Sequence, residues 1–466
     1  MIARQTSMLV VAVFVLNFFW ITYVVAQTPS QPEALPSPPA QPEALPPPQE
    51  GVEVQARGPI HEAYAGPVAE TQAPATVPKQ PPAPIEEMPA EQKPAGDNVQ
   101  WIPGYWAWDT DRNDFLWVSG LWRTSPPDRQ WVSGHWNQVN GGWQRVPGFW
   151  QSQQQQEVTY LPAPPAMPQV APPAPAPNPD AVYVPGCWVW DGTRYAWRSG
   201  MYVTAQPGWI WVPAQYVWTP AGYVFVEGYW DYPLRQRGLL FAPVVVDARF
   251  AARPGFFYRP AYAIPDESLY GAFFVCPASR HYYFGDYFEV RYRNAGFVSW
   301  CDYRYGPYGY DPLFGYYRWH YRNDPRWMID LRGVYVARFN GTMPRPSRTL
   351  VVDVNIGIGA GGRFGAVGLV VPVAHLSRAG YRLEPVSREA QIRHLEAARH
   401  LQVVSRERQE HEARIVAGGN AHAAAHSVKF NSIQGHPANA PGKAPAAAHS
   451  PEPAHRPDPH EKKHER

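Results

Sequence analysis

One phrase, aromatic-x-x-Gly-x-aromatic, returns eight times between Trp101 and Trp230 and constrains the fold more than any other feature of this chain. Its first position is Trp101, Trp117, Trp131, Arg145, Tyr183, Trp197, Trp211 and Phe225. Its fourth is Gly104, Gly120, Gly134, Gly148, Gly186, Gly200, Ala214 and Gly228. Its sixth is Trp106, Trp122, Trp136, Trp150, Trp188, Tyr202, Tyr216 and Trp230. Within each set of four the units start 14 residues apart, with one step of 16. That period is one strand and one turn, and turn-forming residues fall between the units, as in Asn140-Gly141 and Asp191-Gly192-Thr193. A helix is excluded, because Pro and Gly stand in the middle of most units.

Between turns the residues alternate, as in Tyr195-x-Trp197 and Trp209-x-Trp211, the pattern of a strand with one aromatic face. The fold expected is mainly β, with two four-stranded antiparallel meander blocks. A small α+β region, a C-terminal helix and long disordered Pro-rich and tail segments complete it. The two aromatic columns lie five residues apart, an odd number that puts them on opposite faces of a straight strand. A one-residue bulge with positive φ at the glycine would return both columns to one face. Columns of this size suit a core, and Trp117, Trp122, Trp131 and Trp136 are read as facing it. Trp108, Trp190 and Trp218 fall outside the columns and are the candidates for stacking on a ligand.

The remaining chain divides by composition. Residues 1–26 read as a signal peptide, with Arg4 before an apolar run that ends at Ala26. An uncleaved anchor is the alternative, and only in that case would the chain touch a membrane. Residues 27–98 read as a disordered Pro-rich spacer in which His61 is a solvated loop residue. The repeat blocks occupy 99–151 and 181–232, joined by a Pro/Ala linker at 152–180. A Tyr/Arg-rich α+β region spans 233–385, where Asp311-Pro312 and Asp324-Pro325 each signal a helix start. A helix follows at 386–417, its apolar stripe thin and its His394 facing solvent. A disordered His/Ala/Pro tail at 418–466 ends the chain.

Little catalytic or metal chemistry is legible. A net charge of +2 gives no footing for nucleic acid. Gly357–Gly362 matches a dinucleotide fingerprint, but Gly365, Gly368 and Pro372 oppose the helix that must follow. Asp109 and Asp191 read as turn residues rather than a catalytic pair, and no cofactor is expected. His422 and His426 open the His-rich tail as weak metal candidates. Of three cysteines, Cys276 and Cys301 are the candidate disulfide, three unpaired buried thiols being the alternative.

Phe115-x-Trp117-x-x-Gly120-x-Trp122 and Tyr195-x-Trp197-x-x-Gly200-x-Tyr202 resemble the units of the YXWGXW-repeat proteins. The resemblance covers residues 99–232 and implies an exported bacterial protein of unassigned activity. The function expected is therefore non-enzymatic: a structural or adhesive envelope protein, in the periplasm or outside the cell, contacting envelope proteins or polysaccharide. A carbohydrate-binding module that stacks sugars on exposed Trp is the alternative, and an enzyme of unknown type is a distant third.

Overall fold

The computed structural model describes residues 47–430 apart from 68–72, 169, 173, 307, 351–362 and 420. The apolar segment at 1–26, the glycines at 357–362 and the histidines beyond 430 lie outside the described residues. Mainly antiparallel β structure and a long C-terminal helix are both present.

Each unit supplies two short strands, one on either side of its fourth position, and successive units pair as a hairpin. In the first hairpin Val99–Ile102 pairs with Leu121–Thr124 and Tyr105–Asp109 with Asp114–Val118. Trp101 thereby faces Trp122, and Trp106 faces Trp117. The second hairpin sets Trp131 against Trp150 and Trp136 against Arg145. The third opposes Tyr183 to Tyr202 and Trp188 to Trp197. The fourth opposes Trp211 to Trp230 and Tyr216 to Phe225. Each block thus resolves into two hairpins rather than one continuous meander. Two prolines, Pro126 and Pro127, withhold ladder donors between the second and third units. The free edge of Trp122 is taken instead by Gly238–Leu239.

The bulge expected at Gly120 and Gly134 does not form. Register is identical on both sides of each interruption, so neither strand gains a residue. Both strands open together, Pro103-Gly104 facing Ser119-Gly120, and none of the repeat glycines has a positive φ. In the first hairpin the two aromatics of each unit therefore stay apart: Trp101 and Trp122 pack with Leu239 and Phe241, while Trp106 and Trp117 join the main core.

Glycine is required for close approach. A Cβ on Gly120 would sit 2.6 Å from Cζ2 of Trp101, and one on Gly148 2.4 Å from Cζ2 of Trp131. Gly186 and Gly228 meet Trp197 and Trp211 in the same way, at 2.5 and 2.6 Å. The first-position ring of one unit thus lies over the glycine of its partner. Over Gly200 the hydroxyl of Tyr183 would stand only 2.2 Å from the added atom. Ala214, the one alanine, belongs to the unit paired with Phe225, whose ring lacks that hydroxyl. The Trp–Trp pairs across the ladder are edge to face, except for the tilted Trp131–Trp150, with centroids 5.2 Å apart at Trp101–Trp122 and Trp106–Trp117. Each such pair contributes about 0.5–1.5 kcal/mol beyond its buried area.

Segments expected to be disordered complete these sheets. Val52–Val54 pairs with Val244–Val246, which in turn reaches Trp117. Ile60, His61, Ala63 and Tyr64 are buried, and Arg123 Nε and Arg237 Nη1 donate to the carbonyls of Ala63 and Tyr64. Asp231 holds both guanidiniums, at 2.7 and 3.0 Å. In the linker, Glu157–Leu161 lies between Gly222–Val226 and the tail strand His426–Lys429. Hydrophobic residues at alternate positions, Val158 and Tyr160, explain why this stretch orders where the prolines around it do not form strands.

The helices Pro312–His320 and Pro325–Phe339 start as expected, with Asp311 accepting from Phe314 N–H and Asp324 from Arg326 N–H. The long helix Arg388–Ala417 buries Gln391, Ala398, Val404, Arg408 and Glu412 instead of Ile392, which stays exposed. His394 packs edge-on to Trp122 at 4.7 Å, correcting the solvated reading. Cys276 and Cys301 are free. The register that places Phe274 opposite Ser299 and Val275 opposite Val298 leaves Cys276 level with Phe297, four residues from Cys301. Cys301 falls in the turn that follows the strand Val298–Ser299 and not opposite Cys276 in the ladder.

Gly148→Ala is expected to cost about 1–3 kcal/mol by overpacking against Trp131. Gly333→Ala, in open space on the exposed side of the 325–339 helix, should instead stabilise by about 0.5–1 kcal/mol. Urea unfolding of both variants measures the contrast.

Candidate functional site

Arg145 is the one first-position residue that is not aromatic, and the site forms around it. Its planar guanidinium uses the same slot as an indole: a Cβ on Gly134 would stand 2.5 Å from Nη1. It lies 4.4 Å over the ring of Tyr105, and Nη2 bonds Oε1 of Glu62 at 2.7 Å. Arginine can replace tryptophan here because it is flat and stacks, yet it brings a charge that the buried carboxylate of Glu62 balances.

Hydrogen bonds order the surrounding groups. Nε2 of His61 lies 3.1 Å from the carbonyl of Pro103, and its Nδ1 accepts from Ala63 N–H. Burial lowers His61 to about 4, so the ring is neutral near pH 7. Nδ1 of His281 lies 2.6 Å from the carbonyl of Ser279, which leaves Nε2 to accept from the Tyr105 hydroxyl at 3.0 Å. That hydroxyl in turn accepts from Glu62 N–H. Behind His135, Glu412 of the long helix meets Arg408 at 2.7 Å and His135 at 3.3 Å. Burial opposes the charge on Glu412, but Arg408 and His135 outweigh it and hold the carboxyl below its usual range.

Of these groups His61, Glu62, Tyr105, His135 and Arg145 line a half-open cavity of about 490 Å³ between the first two hairpins, the long helix and the proline stretch at 80–84. Trp106, Trp131, Trp136 and Trp143 supply apolar wall. Several buried polar atoms lack a hydrogen-bond partner: Glu62 Oε2, Arg145 Nε and His135 Nδ1. A second cavity of about 280 Å³ lies across Trp136 and Arg145, lined by Trp108 and Tyr287. Both volumes are at or near the lower part of the small-ligand range, about 300–1,000 Å³.

Glu87 secures the proline stretch beside the cavity. Its carboxylate accepts from the N–H groups of Gly104 and Gly120, each at 2.8 Å, and from Trp117 Nε1 at 3.2 Å. These are the donors freed by the break in the first hairpin. The second hairpin is filled with the opposite polarity: Arg408 Nη1 donates to the carbonyls of Ser133 and Pro147.

Three stretches, residues 96–123, 182–200 and 207–231, match the family model described as WXXGXW repeat (2 copies). The chain carries the WXXGXW repeat. The second hairpin, which holds Arg145, falls outside the matched stretches. No curated protein and no solved structure matches the chain.

The candidate stacking residues do not share a face. Trp218 is buried, with 8% of its surface exposed, although its strand Gln215–Thr219 is at the edge of the linker-strand sheet. Trp108 is half-buried edge-on to Phe115, and Trp190 half-buried edge-on to Tyr195. The WXXGXW residues Trp106, Trp117, Trp122, Trp131, Trp150 and Trp230 are buried, whereas Trp136 and Trp188 are half-buried. His422 packs edge-on to Tyr223 and His426 stacks on Tyr160, so neither presents a metal-ligand set. Among the described residues no group of His, Cys, Asp or Glu could hold a metal ion. Asp109 and Asp191 accept from backbone N–H groups within their turns. Glu62, His135 and Glu412 had no sequence signal of their own; the charged residue in an aromatic column was the available one.

Burial raises Glu87 to about 7 against the pull of its three donors. Its contribution to stability is thus present below its unfolded value near 4.5 and is lost as pH rises through 7. Relative to Glu87→Gln, the native chain should gain up to about 3 kcal/mol in unfolding free energy between pH 8 and pH 4.5. Paired urea titrations at the two pH values check both size and sign.

Proposed function

We propose that this chain is a non-enzymatic, exported cell-envelope protein with a structural or adhesive role, acting through contacts with envelope proteins or polysaccharide. The observation that carries the reading is how the aromatic columns are spent. In the first hairpin all four column residues are buried, which suits a rigid scaffold. In the third, Tyr183, Trp188, Trp197 and Tyr202 are all only half-buried, which suits a contact face. Export is supported by Arg4 and the apolar run that ends at Ala26. Among the described residues no helix is long and apolar enough to cross a membrane.

Fractionation of cells making the full chain tests this reading. The chain is expected with the envelope, and Trp190→Ala should shift it toward the soluble exported fraction without unfolding it. Trp117→Ala, by contrast, should cost roughly 3–5 kcal/mol. Recovery of the full chain from the cytosol would contradict the proposal.

A carbohydrate-binding reading is favoured by one observation, the Arg145 cavity. Its aromatic wall and its unpaired donor and acceptor atoms match a sugar ring, whose hydroxyls both donate and accept. On a glycan array this reading expects a bound pyranoside that quenches Trp fluorescence. The double variant Glu62→Gln/Arg145→Gln should weaken it tenfold or more, while no bound glycan would remove the reading.

A further inference from the structure

Three sixth-position aromatics donate to the same kind of acceptor. Trp106 Nε1 reaches the carbonyl of Ala83 at 2.9 Å, Trp188 Nε1 that of Ala166 at 3.1 Å, and the Tyr202 hydroxyl that of Ala174 at 2.8 Å. Every one of these alanines follows two prolines: Pro81-Pro82, Pro164-Pro165 and Pro172-Pro173. The contacts lie on two different hairpins and draw on two separate proline-rich segments, so they do not follow from one local fold. The chain contains four Pro-Pro-Ala triplets, and the fourth, Pro38-Pro39-Ala40, lies outside the described residues.

Prolines have no N–H and favour the polyproline II conformation, which leaves backbone carbonyls without partners. An aromatic ring that carries a donor at its edge supplies both a flat apolar surface and the missing hydrogen bond. Recognition of proline-rich peptides by aromatic-lined grooves rests on this combination. The third hairpin provides it twice, and Tyr195 adds a bond to the carbonyl of Pro162 at 2.6 Å.

The two sites differ in how firmly the proline segment is held. At the first hairpin it continues into buried Ile85 and Glu87. At the third hairpin Ala166 and Ala174 are exposed, and Met167 and Val170 remain 41% and 49% exposed. The linker lies on this face without being buried in it.

We propose that the third hairpin is a recognition surface for proline-rich segments carrying Pro-Pro-Ala. The linker fills it within the chain, and the Pro38-Pro39-Ala40 segment of a second copy takes its place. The inference rests on reading the chain as a binding protein, and it is independent of the compartment in which the chain resides.

The probe is an end-labelled peptide of residues 31–46, titrated into the full chain by fluorescence anisotropy. Binding is expected, and it should tighten about fivefold or more when Pro164, Pro165, Pro172 and Pro173 are changed to Gly. In that background Trp188→Phe and Tyr202→Phe keep an aromatic ring and remove the donor, and each should weaken binding about fivefold. A peptide with Gly-Ser-Ala at 38–40 should not bind. The proposal is overturned if the Gly variant has native circular dichroism and binds no peptide. Equal binding by the Phe variants, or by the Gly-Ser-Ala peptide, also overturns it. Failure here leaves the fractionation result standing, and recovery from the cytosol would leave peptide binding standing.

Discussion

The fold depends on an aromatic ring lying over a glycine across a two-stranded ladder. At Gly120, Gly148, Gly186 and Gly228 the first-position indole of the paired unit occupies the space that a Cβ would need. This contact explains the phrase as a unit. The first aromatic fills its partner's glycine slot, and at Trp101–Trp122, Trp197–Trp188 and Trp211–Trp230 the sixth meets that same ring edge to face. A single unit has no partner for any of these groups, which is why the units work in pairs.

The same geometry creates a polar demand. Opening both strands at the slot frees backbone N–H and C=O groups in places shielded from water, and such groups must be paired. In the first hairpin Glu87 takes two N–H groups and His61 lies within hydrogen-bonding distance of the carbonyl of Pro103. In the second, Arg408 and Ser405 take carbonyls. In the fourth, Arg129 donates to Gly228. Charged side chains from outside the hairpins are therefore drawn inward. Arg145 then adds a charge inside a column, and around it the donors and acceptors no longer all find partners.

Much of this was legible in the sequence, within physical limits. The columns, the turns at Asp109 and Asp191 and the helix starts at Asp311 and Asp324 could be read directly, because each depends on residues close in sequence. The expected bulge is absent because the odd spacing needs no correction: in the first hairpin the two aromatics of one unit serve separate clusters. The ordering of 52–65, 157–161 and 426–429, by contrast, depends on partners far away in the sequence. Composition argued for disorder there, and a few apolar residues such as Ile60, Tyr64 and Tyr160 decided otherwise. The cavity was hidden for the same reason, since Glu62, Arg145 and Ser405 come from three distant segments. The replacement of an aromatic by Arg145 was visible all along, but its meaning required the partner.

The ring-over-glycine contact is tested most directly by a double-mutant cycle between Trp211 and Gly228, where the indole is the nearest neighbour of an added Cβ. Unfolding free energies are needed for Gly228→Ala, Trp211→Ala and the double variant. The account predicts a strong coupling, of about 1 kcal/mol or more, because Ala at 228 is harmful only while the indole is present. Additive effects within about 0.5 kcal/mol would contradict it, and the glycines would then need another explanation.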